Sequence, residues 1–154
     1  MLKGGLIIRN AKSVLGLPVI CGGKNLGRVS YVLPDDALRA VSGVYLYCGL
    51  TGSRFIGCDQ LELIGDVAVL AHSSGKRLQQ NRPPLFRRAL LPDGSRIGAI
   101  TDVLLGENTL RIEALELSRG YLDDLTGGRA HVEQYTVQKN GDVIVELMKG
   151  GNLS

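Results

Sequence analysis

Short segments in which apolar and polar residues alternate recur along this chain, and glycine, proline or aspartate separates one from the next. Such alternation has the period of two that places successive side chains on opposite faces of a β-strand. No segment shows a sustained helical period. The pattern therefore predicts an all-β protein, with strands over residues 18–21, 26–33, 40–48, 60–64, 66–70 and 110–117.

The residues between these segments are typical of tight turns. Glycine accounts for 21 of the 154 residues, well above the usual share of about 7%. Asn140-Gly141 suits a type I′ hairpin turn, in which both central residues have positive φ. The other predicted turns are 22–25, 34–36 and 92–95.

The chain contains an internal repeat. Shifting it by 71 residues aligns 19–49 with 90–120 without a gap, and six of the 31 pairs are identical: Gly23/Gly94, Gly27/Gly98, Val32/Val103, Leu33/Leu104, Leu46/Leu117 and Gly49/Gly120. A second match, 65–69 with 141–145, needs an offset of 76, which predicts about five extra residues within 121–128. We expect two small antiparallel β-barrels in tandem: residues 1–74, a linker over 75–88, and residues 89–154.

Four glycines are expected to have structural roles. Gly27 and Gly98 lie inside predicted strands, where glycine costs about 0.5–1 kcal/mol relative to alanine. Such a glycine is tolerated for a bulge, a bend or a close backbone approach, and small barrels need bends to close. Gly141 belongs to the predicted Asn-Gly turn, and Gly16 is also expected to be structural.

Both copies resemble the PRC-barrel domain, the small β-barrel of the photosynthetic reaction-centre H subunit and of the ribosome-maturation factor RimM. In the first copy the matching motifs are Leu15-Gly16-Leu17-Pro18-Val19, Leu26-Gly27-Arg28-Val29, Pro34-Asp35-Asp36 and Val44-Tyr45-Leu46. The second copy has Ile97-Gly98-Ala99-Ile100 but lacks the opening motif. The resemblance implies a non-enzymatic adaptor or scaffold that binds another protein.

Charge is distributed unevenly along the chain. Residues 1–70 carry a net charge of +2, residues 71–89 carry +5 without an acid, and residues 90–154 carry −4. The five linker cations are Lys76, Arg77, Arg82, Arg87 and Arg88. They are candidates for contacting a partner, RNA phosphate or an anionic membrane surface. The alternative, which we favour, is that they pair with the acidic second copy.

The sequence offers no convincing catalytic or metal-binding set. His72 and His131 are far apart, and His131 with Glu133 supplies too few ligands for a closed metal site. The glycine-rich segment 22–27 lacks the phosphate-loop pattern. Cys21, Cys48 and Cys58 are odd in number and widely spaced, so we expect buried thiols rather than disulfides or a zinc site. No metal and no cofactor are predicted.

These observations rank the functions that we consider. The first is a cytoplasmic adaptor, expected in the cytoplasm because no signal peptide or membrane-spanning segment is apparent. The second is a ribosome- or RNA-associated assembly factor that uses the linker cations. The third is an enzyme or small-ligand binder with a site in a cleft between the barrels. Homo-oligomerisation stays open, and the sequence does not identify the partner.

Overall fold

A computed structural model of the chain describes residues 8–77, 87–106, 109–118 and 129–146. These residues form two seven-stranded sheets and three 3₁₀ turns, Ala11–Val14, Gly49–Thr51 and Cys58–Gln60, without any helix of seven or more residues. The all-β prediction is therefore confirmed.

The first sheet contains seven strands from the N-terminal part of the chain, in the order β6-β7-β2-β3-β4-β5-β8. The β2–β7 pair is parallel, and the other pairs are antiparallel. The strands are β2 (Pro18–Cys21), β3 (Lys24–Pro34), β4 (Val41–Tyr47), β5 (Ser53–Gly57), β6 (Leu61–Ile64), β7 (Val69–Ala71) and β8 (Lys76–Arg77).

The second sheet has the order β12-β11-β10-β9-β14-β13, and β1 pairs with β10. Here the parallel pair is β9–β14. The strands are β1 (Ile8–Asn10), β9 (Arg87–Leu90), β10 (Arg96–Gly106), β11 (Ile112–Ser118), β12 (Arg129–Val132), β13 (Tyr135–Val137) and β14 (Val143–Val145). Each sheet curls into a half-barrel. We call residues 8–77 the first half and residues 87–146 the second half.

Strands β2–β7 and β9–β14 follow the same order in their sheets. The six residue pairs of the β3–β4 ladder, shifted by 71, are the six pairs of the β10–β11 ladder. The shift also superimposes both bulges, since the register breaks after Val29 and Leu33 in one ladder and after Ile100 and Leu104 in the other. The central ladders are therefore equivalent position by position.

The ladders disagree with the ungapped alignment at the first strand of each copy. Val19 pairs with Gly27, whereas Ala89 pairs with Gly98. Ala89 therefore occupies the position that the alignment gave to Leu90, because the hairpin of the second half is one residue longer.

The last strand of each copy also differs from the predicted alignment. Val69 pairs with Val19, and Val143 pairs with Ala89. These positions differ by 74, so the predicted offset of 76 is wrong for the strand itself. Residues 121–128, where the extra residues were placed, lie outside the described residues.

Gly27 and Gly98 both lie beside a register break, where one extra residue is inserted into the longer strand. Gly27 has a φ of +152°, and a Cβ atom at this position would lie 2.4 Å from the Tyr47 carbonyl oxygen. The glycine therefore lets β3 bend closely over the end of β4. Gly16 and Gly141 have φ values of +88° and +94°, which favour glycine.

The strands cross the domain boundaries that the sequence suggested. β1 lies within residues 1–74, which were predicted to form the first barrel, but it pairs with β10 of the second sheet. The segment 75–88 includes β8, which pairs with β5, and the start of β9. Only residues 78–86 between them lie outside the described residues. Most of the buried apolar residues of both halves belong to one hydrophobic cluster, so the halves share a core.

Candidate functional site

The described cations of the predicted basic linker lie on two different sheets. Lys76 and Arg77 are exposed on β8, at the edge of the first sheet. Arg87 and Arg88 begin β9 in the second sheet. Arg82 lies outside the described residues. The four described cations therefore belong to two different sheets.

Arg88 is held by an acidic residue of the second half. Its Nε donates to Asp142 Oδ1 at 3.0 Å and its Nη2 to Oδ2 at 2.5 Å. The Asn140 side-chain amide also donates to Asp142. The hydrogen bond from Arg88 holds the pKa of Asp142 below its usual value. This is the pairing with the acidic second copy that the sequence analysis favoured, and it engages Arg88 in the fold.

Arg87 lies at a cleft between the halves. Its Nη1 donates to the Asp36 carbonyl oxygen at 3.4 Å, across the boundary between the two halves. The cleft has a volume of about 480 Å³ and is lined by Asp36, Ala37, Arg87, Val137, Gln138, Lys139 and Gly141. We call it the inter-half cleft. Its lining combines apolar residues with two cations and one acid.

The segments just before β4 and β11 contact each other, and the contact is reciprocal. Ala40 forms an isolated antiparallel bridge with Arg111, which is its equivalent at an offset of 71. Two backbone hydrogen bonds frame this bridge: Val41 N–H donates to the Leu110 carbonyl at 2.7 Å, and Ile112 N–H donates to the Arg39 carbonyl at 2.9 Å. Each bond becomes the other when the two equivalent loops are exchanged. This reciprocity is the mark of a twofold contact.

Tyr135 reinforces the same boundary from the second half. Its hydroxyl donates to the Leu38 carbonyl at 2.5 Å, and both residues are buried. The Arg39 guanidinium lies 3.8 Å from the ring centroid and donates to the Tyr135 carbonyl. Burial raises the pKa of Tyr135, so the phenol stays protonated as a donor. No sequence pattern indicates this contact.

The far end of the first sheet carries exposed apolar residues that the sequence analysis did not single out. Leu50, at the tip of the β4–β5 hairpin, is fully exposed, and Tyr47 at the end of β4 is 60% exposed. Arg28 on β3 is paired with Tyr47, and Lys24 begins the same strand; Lys76 and Arg77 form β8, which pairs with β5, the second strand of the hairpin. We call these six residues the hairpin face. The sequence feature that could have indicated this surface is a leucine inside the turn segment Gly49-Leu50-Thr51-Gly52.

Asp102 is the most deeply buried acid among the described residues. Asp102 on β10 is only 2% exposed and accepts hydrogen bonds from the backbone N–H groups of Lys12 and Val103, at 3.2 and 2.8 Å. Burial raises its pKa, and Glu116 lies opposite on β11. The Lys12 contact ties the N-terminal turn to the second sheet.

The residues considered for metal or thiol chemistry lie apart. His72 is exposed beside Glu62, with 3.8 Å between Nδ1 and Oε1, and His131 is exposed on β12. Cys21 and Cys48 are half-buried, but Cys58 is exposed, so the expectation of three buried cysteines is wrong for Cys58. Among the described residues, no three His, Cys, Asp or Glu side chains are grouped to hold a metal ion.

No family model matches the chain, and no match to a curated protein was found. Within the described residues there is also no helix long and apolar enough to cross a membrane. The features of the molecule that bear on function are the motifs of its sequence and the geometry of the cleft and the hairpin face.

Proposed function

We propose that the protein is a non-enzymatic adaptor built from two PRC-type β-barrels related by internal repeat, and that it binds another protein in the inter-half cleft. The repeat is supported by the equal strand order of β2–β7 and β9–β14 and by the shared ladder of the central strands. A shift of 71 that carries six residue pairs and two bulges onto each other is difficult to explain by chance.

The observation that carries the proposal is the reciprocal contact of the two halves. It uses the same loop of each copy, around the Ala40–Arg111 bridge, as two subunits of a symmetric dimer would. With Tyr135 and the shared core, it holds the halves in one fixed arrangement. A rigid body with a preformed cleft is what a scaffold needs, because little ordering free energy is then lost on binding.

The cleft is the surface that best suits a protein segment. Arg87 and Lys139 supply positive charge, Val137 and Ala37 supply apolar area, and the Asp36 carboxyl adds an acceptor. The resemblance to PRC-barrels, whose members contact other proteins, points to the same class of partner. The alternative of an RNA-associated assembly factor is favoured by the exposed Lys76 and Arg77 alone.

The test is capture of partners from native extract by the full chain and by two charge-reversal variants. We expect Lys139→Glu, at the cleft, to reduce partner recovery at least about tenfold, the effect of losing one buried charge pair. The matched control is Arg96→Glu, an exposed arginine on β10 that does not line the cleft. We expect that variant to retain the partner.

Two outcomes would overturn the proposal. One is equal recovery of the protein partner by both variants, which would place its binding site elsewhere. The other is recovery of RNA instead of protein, with an affinity that falls steeply as salt rises. Thermal unfolding of each variant checks that neither substitution disturbs the fold.

A further inference from the structure

We infer that the hairpin face docks on an anionic lipid bilayer, with Leu50 as the side chain that enters the membrane. This inference goes beyond the proposed function, because it concerns a different surface from the inter-half cleft. It starts from Leu50 itself, a large aliphatic side chain that is completely exposed. Such exposure carries no benefit in water, whereas transfer of the side chain to an apolar phase is favourable.

The structure of the turn holds Leu50 outward. Cys48 N–H donates to the Gly52 carbonyl at 2.8 Å, and the Thr51 hydroxyl donates to the Cys48 carbonyl at 2.9 Å. Gly49 and Gly52 have φ values of +70° and +89°, which close the turn tightly. The tip is therefore a defined, convex projection in which an aliphatic side chain is presented without a neighbour to cover it.

Tyr47 and the position of the hairpin also suit contact with a membrane surface. β4 begins at the contact with the second half and ends at Tyr47, so the tip lies about 20 Å from that contact, at about 3.3 Å per residue. The exposed Tyr47 lies behind Leu50, where a ring with a polar end suits the boundary between lipid headgroups and acyl chains. The tip can therefore touch a surface while the cleft stays open.

The strands around the tip carry only positive charge. β3, β4, β5, β8 and the hairpin turn contain no Asp or Glu but include Lys24, Arg28, Arg54, Lys76 and Arg77. None of the ion pairs within the described part of the chain involves these five residues. Lysines and arginines near an anionic membrane surface each strengthen binding about fivefold.

One detail indicates that this charge serves a ligand rather than the fold. Arg54 and Arg77 are directly opposite each other on β5 and β8. Like charges in that position destabilise a strand pair. Arg54 is held by the carbonyls of Ser74 and Gly75, whereas Arg77 is exposed at the edge of the sheet. An anionic surface would relieve the repulsion between them.

The aromatic residues of the same sheet do not form a platform for nucleic-acid bases. Tyr45 is buried, and its ring is tilted by 54° to that of Phe55 with 5.0 Å between centroids. Base stacking needs exposed ring faces, and the convex aliphatic tip has no counterpart in such a site. An anionic lipid bilayer offers an apolar interior for the leucine and negatively charged headgroups for the cations.

The first experiment uses the absence of tryptophan from the chain. In Leu50→Trp, the single indole reports the polarity around the tip. We expect its fluorescence to shift to the blue with vesicles of phosphatidylglycerol and phosphatidylcholine, and to stay unchanged with phosphatidylcholine alone. The matched control is Val67→Trp, at an exposed aliphatic residue in the β6–β7 turn beside Asp66, which should not respond.

The second experiment measures sedimentation of the full chain with the same vesicles. We expect Leu50→Ser to weaken binding about tenfold, while Val67→Ser has no effect. The double variant Lys76→Glu/Arg77→Glu should weaken binding more than about 25-fold, from the loss of two cations alone. Lys12→Glu/Arg96→Glu, with the same charge change at two exposed cations outside the hairpin face, should retain most of the binding. High salt should weaken binding of the unmodified chain.

Three results would overturn the inference. The indole at position 50 and the indole at position 67 could respond equally, or neither could respond. The two double variants could lose binding equally, which would indicate an effect of net charge. Finally, a polyuridine oligomer could bind the hairpin face as tightly in Leu50→Ser as in the unmodified chain, which would identify a nucleic-acid surface. Each readout is independent of partner capture at the cleft.

Discussion

Tyr135 provides the most direct test of how the halves are joined. Its hydroxyl crosses from the second half to the Leu38 carbonyl of the first, over 2.5 Å, with both residues buried. The substitution Tyr135→Phe removes this hydroxyl and keeps the ring, so the contact with the Arg39 guanidinium is retained. The change therefore isolates one hydrogen bond across the boundary.

The expected loss follows from the burial of the acceptor. Removing one partner of a buried hydrogen bond leaves the other group desolvated, at a cost of about 1–3 kcal/mol in the free energy of unfolding. For a chain of 154 residues, 1 kcal/mol corresponds to about 2–4 °C in Tm, so Tm should fall by roughly 2–12 °C. Because the halves share one core, we expect a single unfolding transition in both proteins.

Urea unfolding followed by circular dichroism measures the loss, with Tyr47→Phe as the matched control. Tyr47 is 60% exposed, so removal of its hydroxyl should change the free energy of unfolding by less than about 0.5 kcal/mol. The slope of the transition with urea should be the same in all three proteins. If Tyr135→Phe behaves like Tyr47→Phe, or if the unmodified chain unfolds in two separate transitions, the argument for a joined core is refuted.

Two further predictions concern strain and pH. Gly27→Ala should lower the free energy of unfolding in urea by more than about 2 kcal/mol, because the added Cβ would meet the Tyr47 carbonyl oxygen. The control Gly94→Ala, at a glycine with positive φ but open space around it, should lose only about 1 kcal/mol. Equal losses would contradict the close approach of β3 to the Tyr47 carbonyl. Both carboxylate oxygens of Asp102 accept a backbone N–H, so Asp102→Asn, which keeps one acceptor oxygen, should lower the free energy of unfolding in acid by about 1–3 kcal/mol. Since burial raises the folded-state pKa of Asp102, the stability of the unmodified chain falls as pH rises from the ordinary carboxyl pKa through the raised one, so the loss caused by the substitution should shrink across that window in urea unfolding; a loss that is independent of pH would exclude titration of Asp102.

Much of the fold could be predicted because strands and turns depend on neighbouring residues. The predicted strand 18–21 is the observed Pro18–Cys21, and the predicted 40–48 is close to Val41–Tyr47. The predicted strand 66–70 is displaced to Val69–Ala71, because the turn closed by Gly65 N–H and the Ala68 carbonyl occupies its first residues. The cations of 75–88 could be identified from the sequence. That the described ones lie on two different sheets could not be predicted.

The candidate surfaces were less predictable. An isolated leucine between glycines has no pattern from which exposure could be read, since many apolar residues lie at protein surfaces and burial depends on distant neighbours. The cleft combines Asp36 with residues about 100 positions later in the chain. The repeat led us to expect a cleft between the two halves. Of the residues that line it, only Arg87 was a candidate binding residue from the sequence.

The sequence by itself determined the local features of this protein: the alternation that makes strands, the glycines that bend them, and the recurrence of both at an offset of 71. These features act over a few residues and need no partner from elsewhere in the chain. Only the tertiary structure decided that β1 joins the second sheet, that the two loops around Ala40 and Arg111 contact each other reciprocally, and that Leu50 stays uncovered. Those outcomes depend on which surfaces compete for the same neighbours once both sheets have formed, and residues far apart in the chain decide that competition.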